Sequence, residues 1–117
     1  MIIRDLLDRV EKEFAHQYES DLLIAWLNEL ERDIEDFLSG FEGNEDHTFT
    51  PHTSVSDSLQ IEEPQIYLPF LIAQVCLANE EYDRYNNHVE IFLAKYQDWK
   101  DRYIRKHMPV SRGKLKL

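Results

Sequence analysis

The residues best equipped for metal or proton chemistry cluster between positions 42 and 57: Glu42, Glu45, Asp46, His47, His52 and Asp57. Their spacing matches neither an EF-hand loop, which alternates oxygen ligands around a glycine at its sixth position, nor a paired zinc motif. The expectation is a solvated polar loop that holds no metal. His16, His88 and His107 follow no spacing rule either, and all five histidines are expected at the surface. Cys76 lies in the apolar run LPFLIAQVCLA with no histidine within ten residues, so it reads as a small buried hydrophobe and not as a thiol nucleophile. A single cysteine forms no intrachain disulfide, which fits a reducing compartment. The carboxylate pairs Glu80/Glu81 and Asp98/Asp101 fall on solvated helix positions, and nothing beside them in sequence would raise a pKa for general acid–base work. HExxH, GxSxG and glycine-rich phosphate-loop motifs are absent. No enzyme activity and no cofactor are therefore expected.

Two further patterns suggest contact and not catalysis. Tyr82, Tyr85, Phe92, Tyr96, Trp99 and Tyr103 form an aromatic stripe at helical spacing. Such a stripe could stack on bases, but its flanks carry Glu80, Glu81, Asp83, Glu90, Asp98 and Asp101, which repel phosphates. Packing is the better reading, and Tyr85, Phe92, Tyr96, Trp99 and Tyr103 are the candidate subunit interface. The second pattern is electrostatic. Residues 1–101 hold all 23 acids and only seven of the 13 bases, a balance of −16. The other six bases, and no acid, lie in residues 102–117. Arg112, Lys114 and Lys116 thus belong to a basic tail, read either as a solubility device or as an arm that docks on an acidic partner.

The elements that must position these residues are helical. Ile3, Leu6, Leu7, Val10 and Phe14 predict a short amphipathic helix. Leu23, Trp26, Leu27, Leu30, Ile34, Phe37 and Leu38 predict a second, capped by Ser20 or Asp21 and stopped at Ser39-Gly40. Residues 40–64 lose the period, forming a long loop in which 47–50 and 59–61 are candidates for a small β-hairpin. From Leu68 to Tyr103 apolar residues recur three and four apart without a slip, with Pro69 read as lying in the first turn. This region is either one helix of about 36 residues, continuous or kinked, or two helices with a turn near Asn86. The lack of Gly or Pro from Phe70 to Met108 favours the first. A continuous helix would be about 54 Å long and would need a neighbour to cover its stripe. The predicted core is Leu6, Val10, Trp26, Leu27, Leu30, Leu71 and Val75.

At 117 residues the chain is one domain, read as 1–108 with a flexible basic tail at 109–117. Three glycines and four prolines argue against a turn-dense β-sandwich. A net charge of −10 argues against generic nucleic-acid binding. The acid-studded MIIRDLLDRVEKEF is no signal peptide, and the uncharged stretch Pro64–Asn79 is too short to span a bilayer.

Some stretches resemble a known family. IAWLNELERDI (Ile24–Ile34), EYDRYNN (Glu81–Asn87), the Phe92–Tyr96–Trp99 spacing and HMP (His107–Pro109) resemble small tailed-phage and prophage head–tail connector proteins. The likeness spans most of the chain outside the loop at 40–60. It implies a non-enzymatic helical adaptor that forms a homo-oligomeric ring beneath a portal, docks on portal or tail proteins, and resides in the virion or, during assembly, in the host cytoplasm. A glycine usual before the EY pair is replaced by Glu80, which favours an unbroken helix. The expected fold is all-α, with two short amphipathic helices packed on a long C-terminal helix. The alternative function is a small acidic DNA mimic that inhibits a nucleic-acid-binding host factor.

Overall fold

The computed structural model describes residues 1–42 and 49–107. It is all-α: α1 (Ile3–Glu13), α2 (Ser20–Glu42), α3 (Pro64–Ala78) and α4 (Tyr82–His107). The basic tail, including Arg112, Lys114 and Lys116, lies outside the described residues. Among the described helices none is long and apolar enough to cross a membrane.

α3 is the hub of the packing. Nine of its 15 residues are buried, from Ile66 to Cys76, because the run PQIYLPFLIAQVCLA is apolar on every side and has no polar face to offer water. The other three helices each present one apolar stripe to it. α1 contributes Ile3, Leu6 and Val10, and α2 contributes Leu23, Leu27, Leu30 and Ile34. α4 contributes Tyr96 and Trp99. Of the predicted core only Trp26 is half-buried, where it meets Tyr18 edge-on at 5.7 Å. Cys76 is fully buried, and desolvation holds its thiol pKa above the ordinary value.

Helix boundaries differ from expectation at three places, each with a local cause. Glu19 supplies the first acceptor of α2 to Leu22 and Leu23, so Ser20 is already helical and does not cap. Gly40 does not stop α2, which runs on to Glu42. Pro64 takes the first position of α3, where its missing N–H costs nothing, and Pro69 lies inside the helix.

The C-terminal helical region is two helices, α3 and α4, and its break falls at Asn79–Glu81 and not near Asn86. Glu81 N–H donates to Cys76 O at 2.8 Å and Glu80 N–H to Leu77 O at 3.0 Å, the paired bonds of a Schellman motif. Glu80 has φ 61, the left-handed conformation that glycine adopts without strain. Glu80 therefore does not favour an unbroken helix as expected, because the surroundings fix the reversal without a glycine. Tyr18 O–H donates to Asn79 Oδ1 at 2.5 Å, and Asn79 Nδ2–H donates to Glu81 Oε2 at 3.1 Å. Beyond the turn α4 runs back along α3. The Phe70 and Phe92 rings lie 5.2 Å apart, and Arg102 pairs with Glu63 at 2.9 Å. A straight helix would separate Phe70 from Phe92 by about 33 Å.

Residues 49–63 are an anchored segment without a strand. Their one β-type feature is an isolated antiparallel bridge between Ile2 and Ser58, so no hairpin forms among the described residues. His47 and Thr48, half of the predicted first strand, lie outside them. The segment instead finishes α1. That helix has no side-chain cap, and its first amides, Ile3 and Arg4, donate to the Asp57 and Val55 carbonyls at 2.9 and 2.8 Å.

The strained residue yields the first test. Glu80→Gly should raise stability by about 0.5–1 kcal/mol, the relief of left-handed strain less the added freedom of the unfolded chain. A shift of the urea midpoint to higher concentration at unchanged slope reads it. A shift to lower concentration would contradict the assigned backbone geometry.

Candidate interaction surface

Of the metal-type cluster, His52 and Asp57 are described, while the side chain of Glu42 and the whole of Glu45, Asp46 and His47 are outside the described residues. His52 is not a surface residue. Its Nε2 lies 2.7 Å from Oε2 of Glu31, a side chain with 0% exposure. With Nε2 carrying the ring hydrogen, the Glu31 carboxylate accepts it. Gln60 N–H donates to the same Oε2 at 3.1 Å, and Tyr67 O–H donates to Oε1 at 2.5 Å. Asn28, one turn earlier on α2, accepts from His52 N–H at 2.9 Å and donates to His52 O at 3.1 Å. On the far side Asp57 Oδ2 stands 3.7 Å from His52 Nδ1 and accepts the Thr53 and Ser54 amides at 3.0 and 3.2 Å. These amides hold the Asp57 carboxyl below its ordinary pKa of 3.8.

This carboxylate–imidazole–carboxylate row resembles catalytic machinery, but Glu31 reaches no solvent and the donors around it are the fold's own. The row fastens residues 49–63 to α2 and α3. Among the described residues no group of three or more His, Cys, Asp or Glu is arranged to hold a metal ion. Sequence spacing gave no signal for the row, since Glu31 is one acid among several on α2.

The aromatic stripe is placed differently from expectation. Tyr96 (5% exposed) and Trp99 (7%) are buried within the chain itself, and Tyr85, Phe92 and Tyr103 are half-buried against the same core. The reversal at Glu80 explains this, because it brings the stripe onto α3 and so supplies in one chain the cover a straight helix would need from a neighbour. Rings form a column: Phe92 on Tyr96 at 5.3 Å, Tyr96 on Trp99 at 6.0 Å, and Trp99 against Tyr103 at 5.7 Å. Phe37 of α2 meets Trp99 at 5.4 Å and Tyr103 at 5.7 Å, and Tyr96 O–H donates to Asp33 Oδ2 at 2.5 Å.

α4 lies on α3 and touches α2 through these few side chains, leaving a groove of about 390 Å³ between them. Leu30, Phe70, Phe92, Leu93 and Tyr96 line it, with Glu29 and Asp33 on the α2 side. Lys100 forms one end, its ammonium 4.1 Å from the Tyr96 ring centre and 5.7 Å from that of Phe37. Leu93 (55%), Tyr82 (57%) and Ile91 (48%) are the most exposed large apolar side chains described. Leu93 and Tyr82 are eleven positions apart, three turns, on one flank of α4; Ile91 points to the opposite side. Periodicity alone could not find them, because Tyr82 reads as part of the buried stripe.

No family model matches the chain, and no curated protein or solved structure matches it either.

Two tests follow from the tyrosine hydrogen bonds. Tyr67→Phe leaves a buried carboxylate oxygen without its donor and should cost about 1.5–3 kcal/mol, whereas Tyr96→Phe, whose partner Asp33 is exposed, should cost about 0.5–1.5 kcal/mol. Equal losses would refute the hub role of Glu31. Burial and the adjacent carboxylates also raise both phenol pKa values above the ordinary 10.0. The stability they contribute is complete below pH 10.0 and is lost as pH rises beyond it. In an ultraviolet pH titration, Tyr67 and Tyr96 should ionise only as the chain unfolds.

Proposed function

We propose that this chain is a non-enzymatic structural protein of a tailed phage or prophage, a helical adaptor resembling a head–tail connector. It associates with copies of itself and docks on a portal or tail component, being assembled in the host cytoplasm and retained in the virion. The observation that carries this reading is the presence of large exposed apolar side chains on two opposite sides of α4, Leu93 and Tyr82 on one and Ile91 on the other. A subunit in a ring meets two neighbours through two different surfaces, and a helix between neighbours needs apolar contact on both. The acidic character of the body supports the reading as well, since DNA passing through a ring does not adhere to carboxylates. The aromatic column, packed within the chain, keeps α4 rigid while its flanks remain available.

Sedimentation of the chain alone and with the portal protein of the same locus tests the proposal. The expected result is a discrete oligomer or a stoichiometric complex that tolerates salt. Leu93→Asp or Ile91→Asp should weaken it at least about tenfold, the loss of one buried aliphatic contact, with the far-ultraviolet dichroism unchanged. A monomer in both samples that instead bound a basic nucleic-acid-binding protein, and released it as salt rose, would establish the acidic DNA mimic in its place.

A further inference from the structure

The α2/α4 groove presents Phe70, Leu30 and Leu93 beside Glu29 and Asp33. Apolar surface edged by carboxylates selects a segment in which apolar and basic residues alternate. The sequence beyond α4 contains one. Arg112, Lys114 and Lys116 stand at every second position, and Leu115 and Leu117 fall between and after the lysines. In an extended run this alternation puts three cations on one side and two leucines on the other. α2 offers the matching row, since Glu29, Asp33 and Asp36 are all exposed and lie at helical spacing along one edge. Their axial steps of about 6 and 4.5 Å compare with about 6.6 Å between alternate residues of an extended chain.

Geometry points to the chain's own segment. Glu29 faces Leu93 across the groove, Asp33 bonds Tyr96, and Phe37 packs on Trp99 and Tyr103, so α2 and α4 run in the same direction. A segment leaving His107 and turning back therefore passes Asp36, Asp33 and Glu29 in that order. From His107 to Leu93 is about 21 Å along α4. Leu115 lies eight residues beyond His107, a reach of about 26 Å. A tether this short holds the segment at an effective concentration in the millimolar range, well above that of a second copy in dilute solution. Among the described residues Lys100 is the one cation in the groove wall, set against Glu29 and Asp33 there.

We propose that residues 110–117 dock in the α2/α4 groove of their own chain and cover its apolar surface in the free subunit. The proposal stands whether or not the chain serves in a virion.

A nitroxide on Gly113→Cys tests it, since that position removes neither a cation nor a leucine. Cys76 is buried and does not compete for the label. The methyl signals of Leu30 and Leu93 should lose intensity relative to the reduced label. They should regain it at high ionic strength, and equally in the variant that adds Arg112→Glu, Lys114→Glu and Lys116→Glu. Equal intensities in the parent and the charge-reversed variant would overturn the proposal. So would a loss that appears only when spin-labelled chains are mixed with separate isotope-enriched chains, which would assign the contact to a second copy. All these substitutions lie beyond α4, so the fold itself serves as the unchanged reference.

Discussion

A carboxylate with no exposure to water depends on the donors that reach it, and Glu31 collects them from both the loop and α3. Tyr67 comes from α3, while His52 and Gln60 come from residues 49–63. Left without these bonds in an apolar interior, the group would destabilise the fold by several kcal/mol. The segment so fastened then supplies the carbonyls that complete the first turn of α1. Two helices and a loop are thereby joined to the central helix through one side chain. The contacts form together or not at all, because each partial set leaves a buried polar group unpaired.

The reversal at Glu80 decides what α4 is for. A helix continuing from α3 would have carried its aromatic stripe into solvent or onto a neighbour. Folded back, the same residues become the outer wall of the core, and only the flanks remain. Because α4 settles on α3 and not on α2, the third side of the bundle stays open as a groove. The surface available for recognition is thus the remainder left by a packing decision made at one turn.

Much of this architecture is legible in the residues. The helical periods mark α1, α2 and the helical character of the region that becomes α3 and α4, but not the break between those two. Leu6, Val10, Leu27, Leu30, Leu71 and Val75 are core in both readings. What sequence patterns do not reveal is any feature that depends on long-range partners. Glu31 sits between Leu30 and Arg32 as an ordinary helix acid, and nothing local says that His52, Gln60 and Tyr67 will converge on it. Glu80 carries no turn chemistry of its own, so its left-handed backbone is imposed by Tyr18, Asn79 and the packing of α3 against α4. The aromatic stripe was readable as buried, but its partner was not, since a helical period specifies a face and not what covers it.

The clamp between Asn28 and position 52 has one more implication. Asn28 grips the backbone amide and carbonyl of that residue and ignores its side chain, while Glu31 grips the imidazole. The loop is therefore held at two points by residues one turn apart, Asn28 on the main chain and Glu31 on the side chain. Asn28 thus sets the register of the loop, so that the imidazole at 52 meets the buried carboxylate with little rotational freedom left to lose.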